Sequence, residues 1–130
     1  MTENGKLKLL TKMDHFYKDL VPVLRRFPKT QRYTLAERIE KETLSCARLI
    51  YFAAYDRSVR LQSLKTLRVN LHLLTFLLRC SHKQSFISDA LYERFVRETA
   101  EMGQICSQWI KTETKLKEAA HEKAQTLQYV

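Results

Sequence analysis

Glycine and proline are scarce in this chain, which has two of each in 130 residues. All-β folds and phosphate-binding loops need many more of these residues, so the composition predicts a mostly helical protein without a nucleotide-binding loop. No apolar run reaches the roughly 18 residues that a membrane span needs. The N-terminal ten residues also lack the apolar core of a signal peptide, which favours a cytoplasmic location.

Cysteine is also sparse, and its spacing argues against covalent or metal cross-links. The three cysteines, Cys46, Cys80 and Cys106, are odd in number and widely spaced, as is typical of reduced thiols in helices. Only Cys80 and His82 form a close pair, whereas zinc takes four ligands, usually from two such pairs. We therefore expect no metal and no cofactor. Because no paired acid and base can be named, we also expect no enzymatic activity.

Hydrophobic residues make up 45% of the sequence, enough for one domain over residues 1–130. Apolar residues three and four apart predict four helices, the first over about 6–27 and the others ending near 55, 80 and 110. The second helix begins either at Pro28 or at Thr34, since Thr34 and Glu37 fit a capping box. Four similar helices with short loops predict an all-α, up-down-up-down four-helix bundle.

Several residues mark the ends and irregularities of these helices. Pro22 lies inside the first helix, where we expect a kink or local unwinding. Asp56 is a candidate N-cap for the third helix, and Ser88 or Asp89 for the fourth, after a polar loop over residues 81–88. The charged extension that follows the fourth helix is predicted to be either a solvated helix or frayed; it comprises residues 113–130.

The third predicted helix is unusual, because its apolar residues from Val59 to Leu78 point almost all round it. One small bundle can hardly bury such a helix on all sides, so we expect a subunit interface. Gly103, inside the fourth helix, costs about 1 kcal/mol relative to alanine, which predicts the close approach of another helix. Trp109 is expected to be a core or interface anchor.

Positive charge is concentrated in two segments that contain no acid. The ten cations of residues 25–32 and 57–83 exceed the whole net charge of +9. On a helical wheel, five of those from the third helix share a sector of about 140° with His72. Such a stripe is typical of surfaces that meet a polyanion, because several phosphates can be neutralised together. The candidate partner-binding residues are Arg25, Arg26, Lys29, Arg32, Arg57, Arg60, Lys65, Arg68, Arg79 and Lys83.

Exposed tyrosines would add base stacking to these phosphate contacts; the candidates are Tyr33, Tyr51 and Tyr55. The alternative is that the arginines form ion pairs with acids of neighbouring helices or subunits. The acids available for such pairs are Glu37, Glu40, Glu42 and Glu98. Charge alone does not decide between nucleic-acid binding and these protein contacts.

Two blocks of sequence carry a family resemblance. They are FPKTQRYTL at 27–35, followed by ERIE at 37–40, and MGQICSQWIK at 102–111. Together with the helix order and the arginine- and leucine-rich third helix, they resemble a family of four-helix-bundle proteins. This family includes the 23S rRNA intervening-sequence proteins and the accessory variability determinant (Avd) of diversity-generating retroelements. The resemblance extends over roughly residues 8–112.

The resemblance implies a homopentameric barrel of four-helix bundles. It also implies that the barrel binds a reverse transcriptase, its template RNA and the cDNA, and that it supports error-prone cDNA synthesis without catalysing it. Ser107 and Gln108 stand where many members have glycines, so packing around the last helix is expected to differ. Two alternatives stay open, an intervening-sequence-type bundle and a scaffold that binds only protein.

Overall fold

The computed structural model describes the backbone of residues 2–128 and the side chains of residues 5–127. Within these residues the protein has four long helices and no strand. They are α1 (Thr2–Arg25), α2 (Glu37–Tyr55), α3 (Arg60–Lys83) and α4 (Asp89–Gln128). Each helix packs against two neighbours, α1 and α3 each contacting both α2 and α4. The prediction of an all-α fold with four helices is confirmed.

The core lies along the axis of the bundle and is built from the apolar stripe of each helix. Phe16 of α1 and Phe95 of α4 are fully buried and meet edge to face, with ring centroids 5.5 Å apart. Leu67 and Leu74 on α3 are also completely buried. Trp109 is 3% exposed, so it is the core anchor that its position in the apolar stripe predicted. Burial of this kind supplies most of the stability of a small bundle.

The connection between α1 and α2 differs from the capping prediction. The chain turns at Pro28, and a short helical turn at Lys29–Gln31 leads into a π-helical turn at Arg32–Ala36 and then into α2. The predicted capping box is wrong, because Thr34 Oγ1 donates to the carbonyl of Thr30 and contacts Gln31 instead of capping the helix. Helical turns therefore begin at Lys29, next to the earlier of the two proposed sites, although the regular helix α2 begins only at Glu37. Helix α1 runs through Pro22 without unwinding.

The other two connections are short and capped. Asp56 accepts hydrogen bonds from the amide and hydroxyl of Ser58, which confirms Asp56 as the cap of the turn that opens α3. Helix α3 continues to Lys83, so the polar loop predicted to start at 81 begins three residues later. The last turn of α3 includes Ser81, which is buried and donates a hydrogen bond to the carbonyl of Leu77. Ser88, rather than Asp89, caps α4 by accepting from the amide of Leu91.

Helix α4 is much longer than the other helices of the bundle. It has 40 residues, compared with 24 in α3, and every residue from 115 to 127 is exposed. The last residue to contribute a buried side chain is Glu113. Of the two alternatives for the charged extension, the solvated helix is therefore correct up to Gln128, and residues 129–130 lie outside the described part.

The three cysteines are free thiols held in helices. Burial raises the pKa of Cys46 to about 12 and that of Cys106 to about 11. Cys106 Sγ donates to the carbonyl of Leu64, 3.1 Å away, and so joins α4 to α3. Both thiols are neutral packing groups at physiological pH, since the charged form is disfavoured in the apolar interior.

Candidate nucleic-acid interface

Helix α3 presents three different surfaces around its circumference. One side, with Leu67 and Leu74 at its centre, is buried in the core. The side towards α4 carries exposed cations, and the side towards α2 carries exposed apolar residues. Because this helix contains no acidic residue, its polar surface is uniformly basic or neutral. The candidate interface is built on the two exposed sides.

The basic stripe is open to solvent, and its Arg68 lines the groove between α3 and α4. It comprises Lys65, Arg68, Arg79 and Lys83 on α3 together with Arg57 in the turn that precedes this helix, and all five are exposed. Within the described residues, none of the five forms an ion pair with a carboxylate. The pairing alternative is thus not realised within one chain for these residues. A row of cations that is accessible and without an anionic partner is suited to recruiting an external polyanion.

Arg60 shares the wheel sector of the stripe but has a different environment. Its side chain is only 17% exposed, and its Nε and Nη2 donate to the carbonyls of Ala53 and Ala54 at the end of α2. Its Nη1 lies 3.5 Å from Oε1 of the buried Glu113, and the guanidinium sits over the ring of Trp109. These contacts hold the ends of three helices together, so Arg60 is not part of the surface that we propose for binding.

The cations of the first connection form a second exposed group. Arg25, Arg26, Lys29 and Arg32 all reach solvent. Arg26 Nε donates to the carbonyl of Pro22 and Arg32 Nη2 to that of Arg25, so two of these side chains are anchored to the backbone beside them. In an up-down-up-down bundle this connection lies at the same end as Lys83. Arg25 and Arg32 line a groove that also contains Glu37 and Glu40, which is different from the groove that Arg68 lines.

The groove between α3 and α4 adds residues that charge counting missed. Arg68 and His72 line one side of it, and Gln104, Gln108 and Lys111 line the other. Lys111 escaped sequence reasoning because the C-terminal segment is balanced by its own acids. Only the helical spacing of 104, 108 and 111 could have indicated that these residues share the α3-facing edge of α4.

The apolar face lies next to the basic stripe, on the part of α3 that turns towards α2. It consists of Val69, Leu73 and Phe76, whose exposed fractions run from 38% to 64%. Residues 69, 73, 76 and 80 repeat at steps of four and three, and Cys80 lines the groove that α3 forms with α2. The guanidinium of Arg48 lies over the ring of Phe52. A single chain therefore leaves this face exposed, as expected for a helix that is too apolar for one bundle to cover.

Gly103 contradicts the prediction made for it. A Cβ atom added at this position would meet nothing within 4 Å, so no helix of the same chain approaches it. The glycine instead lines the groove between α3 and α4. The three tyrosines considered for base stacking are exposed, and the rings of Tyr51 and Tyr55 stack on each other with centroids 6.1 Å apart.

Other kinds of site find little support among the described residues. No group of three or more histidine, cysteine or acidic side chains is placed to hold a metal ion. No helix of the described chain is both long and apolar enough to cross a bilayer.

Comparison with known families assigns the chain to a family. A family model described as bAvd-like matches residues 7–113. The chain belongs to the bAvd-like family. The family is one of accessory proteins, and the match ends at the same residue as the buried part of α4. Searches among curated proteins and among solved structures find no match. For this bAvd-like chain, the basic stripe, the groove and the apolar face all lie within the matched region.

Proposed function

We propose that this protein is a non-enzymatic accessory subunit of a diversity-generating retroelement. It binds the reverse transcriptase and the template RNA, and holds the RNA and growing cDNA during mutagenic synthesis. The observation that carries this proposal is the basic stripe of α3 and the turn before it, five exposed cations with no carboxylate partner within the described chain. Membership in the bAvd-like family supports the accessory role.

The stripe acts through counterion release. Each arginine or lysine that neutralises a phosphate frees condensed cations from the nucleic acid, so affinity depends steeply on salt and little on sequence. Arginine suits this task because its planar guanidinium can bind two phosphate oxygens at once. A protein of this kind holds RNA or cDNA near a polymerase without selecting a particular sequence.

The apolar face serves assembly in this proposal. Val69, Leu73 and Phe76 are apolar side chains that a monomer rarely leaves exposed together. A second copy that covers them through a different surface makes a head-to-tail contact, and such contacts form a ring when the rotation between copies closes. We propose a homopentameric ring, in which five copies of a chain of net charge +9 form a strongly basic body.

Binding of RNA and of single-stranded DNA across a salt series tests the polyanion part of the proposal. The variant R57Q/R68Q/R79Q removes three cations of the stripe. Its slope of log affinity against log salt should fall by about 2 relative to the natural sequence, since each phosphate contact contributes about 0.7 for single strands. Affinity should drop uniformly across sequences.

A matched control removes the same charge elsewhere. K8Q/K18Q/K41Q takes three exposed lysines from α1 and α2 and should leave the slope nearly unchanged. Equal slopes for the two triple variants would show that the stripe is not the binding surface. An oligomer that binds no nucleic acid at low salt, yet captures the reverse transcriptase, would instead favour the protein-only scaffold.

A further inference from the structure

Four surface grooves of the bundle can be compared, and the one between α3 and α4 differs in charge from the rest. Its lining includes Arg68, His72 and Lys111 but no carboxylate. Each of the other three contains at least one glutamate, such as Glu37 or Glu101. A groove that combines cations with an absence of acids is complementary to a chain of phosphates.

The two walls of this groove offer different chemistry. The α3 wall presents Arg68 and His72, and the remaining cations of the basic stripe continue along the same helix. The α4 wall presents Gln104, Gln108 and the hydroxyl of Ser107, with Lys111 at its end. Amide and hydroxyl groups both donate and accept hydrogen bonds, as sugar hydroxyls and base edges require. From Val96 to Lys111 the α4 wall is about 22 Å long at 1.5 Å per residue, enough for a short run of nucleotides.

The floor of the groove is kept low by Gly103. A Cβ atom there would meet no atom of the chain within 4 Å, so packing inside the bundle does not require glycine. Ala100 and Ser107, one turn away on either side, are also small and line the same groove. Glycine lowers the stability of a helix relative to alanine. An open groove floor offsets this loss of stability only if a ligand occupies the groove.

We propose that the groove between α3 and α4 binds a single-stranded polynucleotide. The cations of α3 and Lys111 contact its phosphates, and the polar side chains of α4 face its sugars and bases. This inference rests on the proposed function and adds its location and strand preference. The groove follows the line along which two packed helices meet at the surface, so a flexible single strand can lie along it whereas a rigid duplex can touch only its rim. The shared ligand chemistry is the phosphodiester chain, present in both RNA and DNA.

The test fills the groove without touching its charges. In G103L an isobutyl group occupies the floor, and because the position is open the variant should fold with a thermal midpoint equal to or above that of the natural protein. G103A is the matched variant, which strengthens the helix equally but fills almost no space. Affinities for oligouridine, oligothymidine and an RNA duplex of equal length are measured at low salt, and mass is determined by light scattering in the same samples.

G103L should lose about tenfold in affinity for a single strand, while G103A stays within about twofold of the natural protein. The loss on the duplex should be small, because the exposed cations still reach its phosphates. A loss on oligouridine assigns RNA to the groove and a loss on oligothymidine assigns DNA, and either supports the inference.

Three results would overturn it. If G103L keeps its single-strand affinity while R57Q/R68Q/R79Q loses affinity, the proposed function stands and the groove is not the site. An equal loss on single strand and duplex removes the strand preference. A changed mass for G103L shows that the groove is an interface between copies. The proposed function itself fails separately, if the natural protein binds none of the three probes.

Discussion

The two exposed sides of α3 have similar accessibility and opposite chemistry. Val69 and Phe76 on the apolar face are 64% and 50% exposed, and Arg68 and Arg79 of the basic stripe are also exposed. The two sets alternate along the sequence, with Arg68 beside Val69 and His72 beside Leu73. Only the rotation of about 100° per residue around the helix axis separates them. We propose that a helix that sorts its exposed residues in this way has two binding surfaces, one for charge and one for apolar area.

The separation has a physical reason. An arginine buried at an apolar subunit contact would lose hydration without gaining a partner, and an apolar side chain in place of a cation of the stripe would remove a proposed phosphate contact. Each surface is therefore expected to bind its partner best when it contains no residue of the other surface. Independent alteration of the two sides is the way to test whether they have separate roles.

The largest effect is expected when the apolar face is made acidic. L73E/F76E places two carboxylates where we propose that another copy packs, and burying unpaired charge there should abolish assembly. Both side chains are at least 38% exposed in the single chain, so the bundle itself should still fold. Light scattering should show a monomer with an unchanged helical circular-dichroism spectrum.

The control for that variant is L116E/L127E, which introduces the same charges at two exposed leucines on the C-terminal extension. It should keep the mass of the natural protein. If L73E/F76E also keeps that mass, the apolar face does not form the subunit contact.

The next effect is charge reversal on the basic stripe. R68E/R79E removes two attractive contacts and adds two repulsive ones, so affinity for single-stranded RNA at low salt should fall by about a hundredfold or more. The mass should not change, because neither residue lies on the apolar face. A variant that becomes monomeric as well as losing RNA binding would show that the two sides of α3 are not independent.

A third variant distinguishes two arginines that the helical wheel places together. R60Q removes the side chain that joins α2, α3 and α4 and leaves the buried Glu113 without its ion-pair partner. It should lower the free energy of unfolding by about 2–4 kcal/mol, as measured by denaturant titration. R57Q, at an exposed site, should change that energy by less than about 0.5 kcal/mol. Equal stability of the two variants would contradict the structural role of Arg60.

Much of the fold could be predicted because the apolar periodicity of each helix is strong, and Leu67, Leu74 and Trp109 are buried as their spacing indicated. The start of α2 could not, since a π-helical turn at Arg32–Ala36 replaces the expected cap and depends on tertiary packing. The role of Arg60 was equally hidden, because a wheel of one helix does not show that Glu113 on another helix lies beside it. Whether the exposed cations bind nucleic acid stays a prediction.

The smallest effect is expected from removing the extension. Deletion of residues 115–130 takes away only exposed side chains among those described, and the bAvd-like match ends at Glu113, before the cut. The deletion removes three lysines and two glutamates, so the net charge changes little. The thermal midpoint should move by no more than about 2 °C, and both mass and RNA salt slope should stay as in the natural protein. Those results would confine both surfaces of α3 and their partners to the bundle. A loss of assembly on deletion would instead place the subunit contact on the C-terminal extension and leave the apolar face without its proposed role.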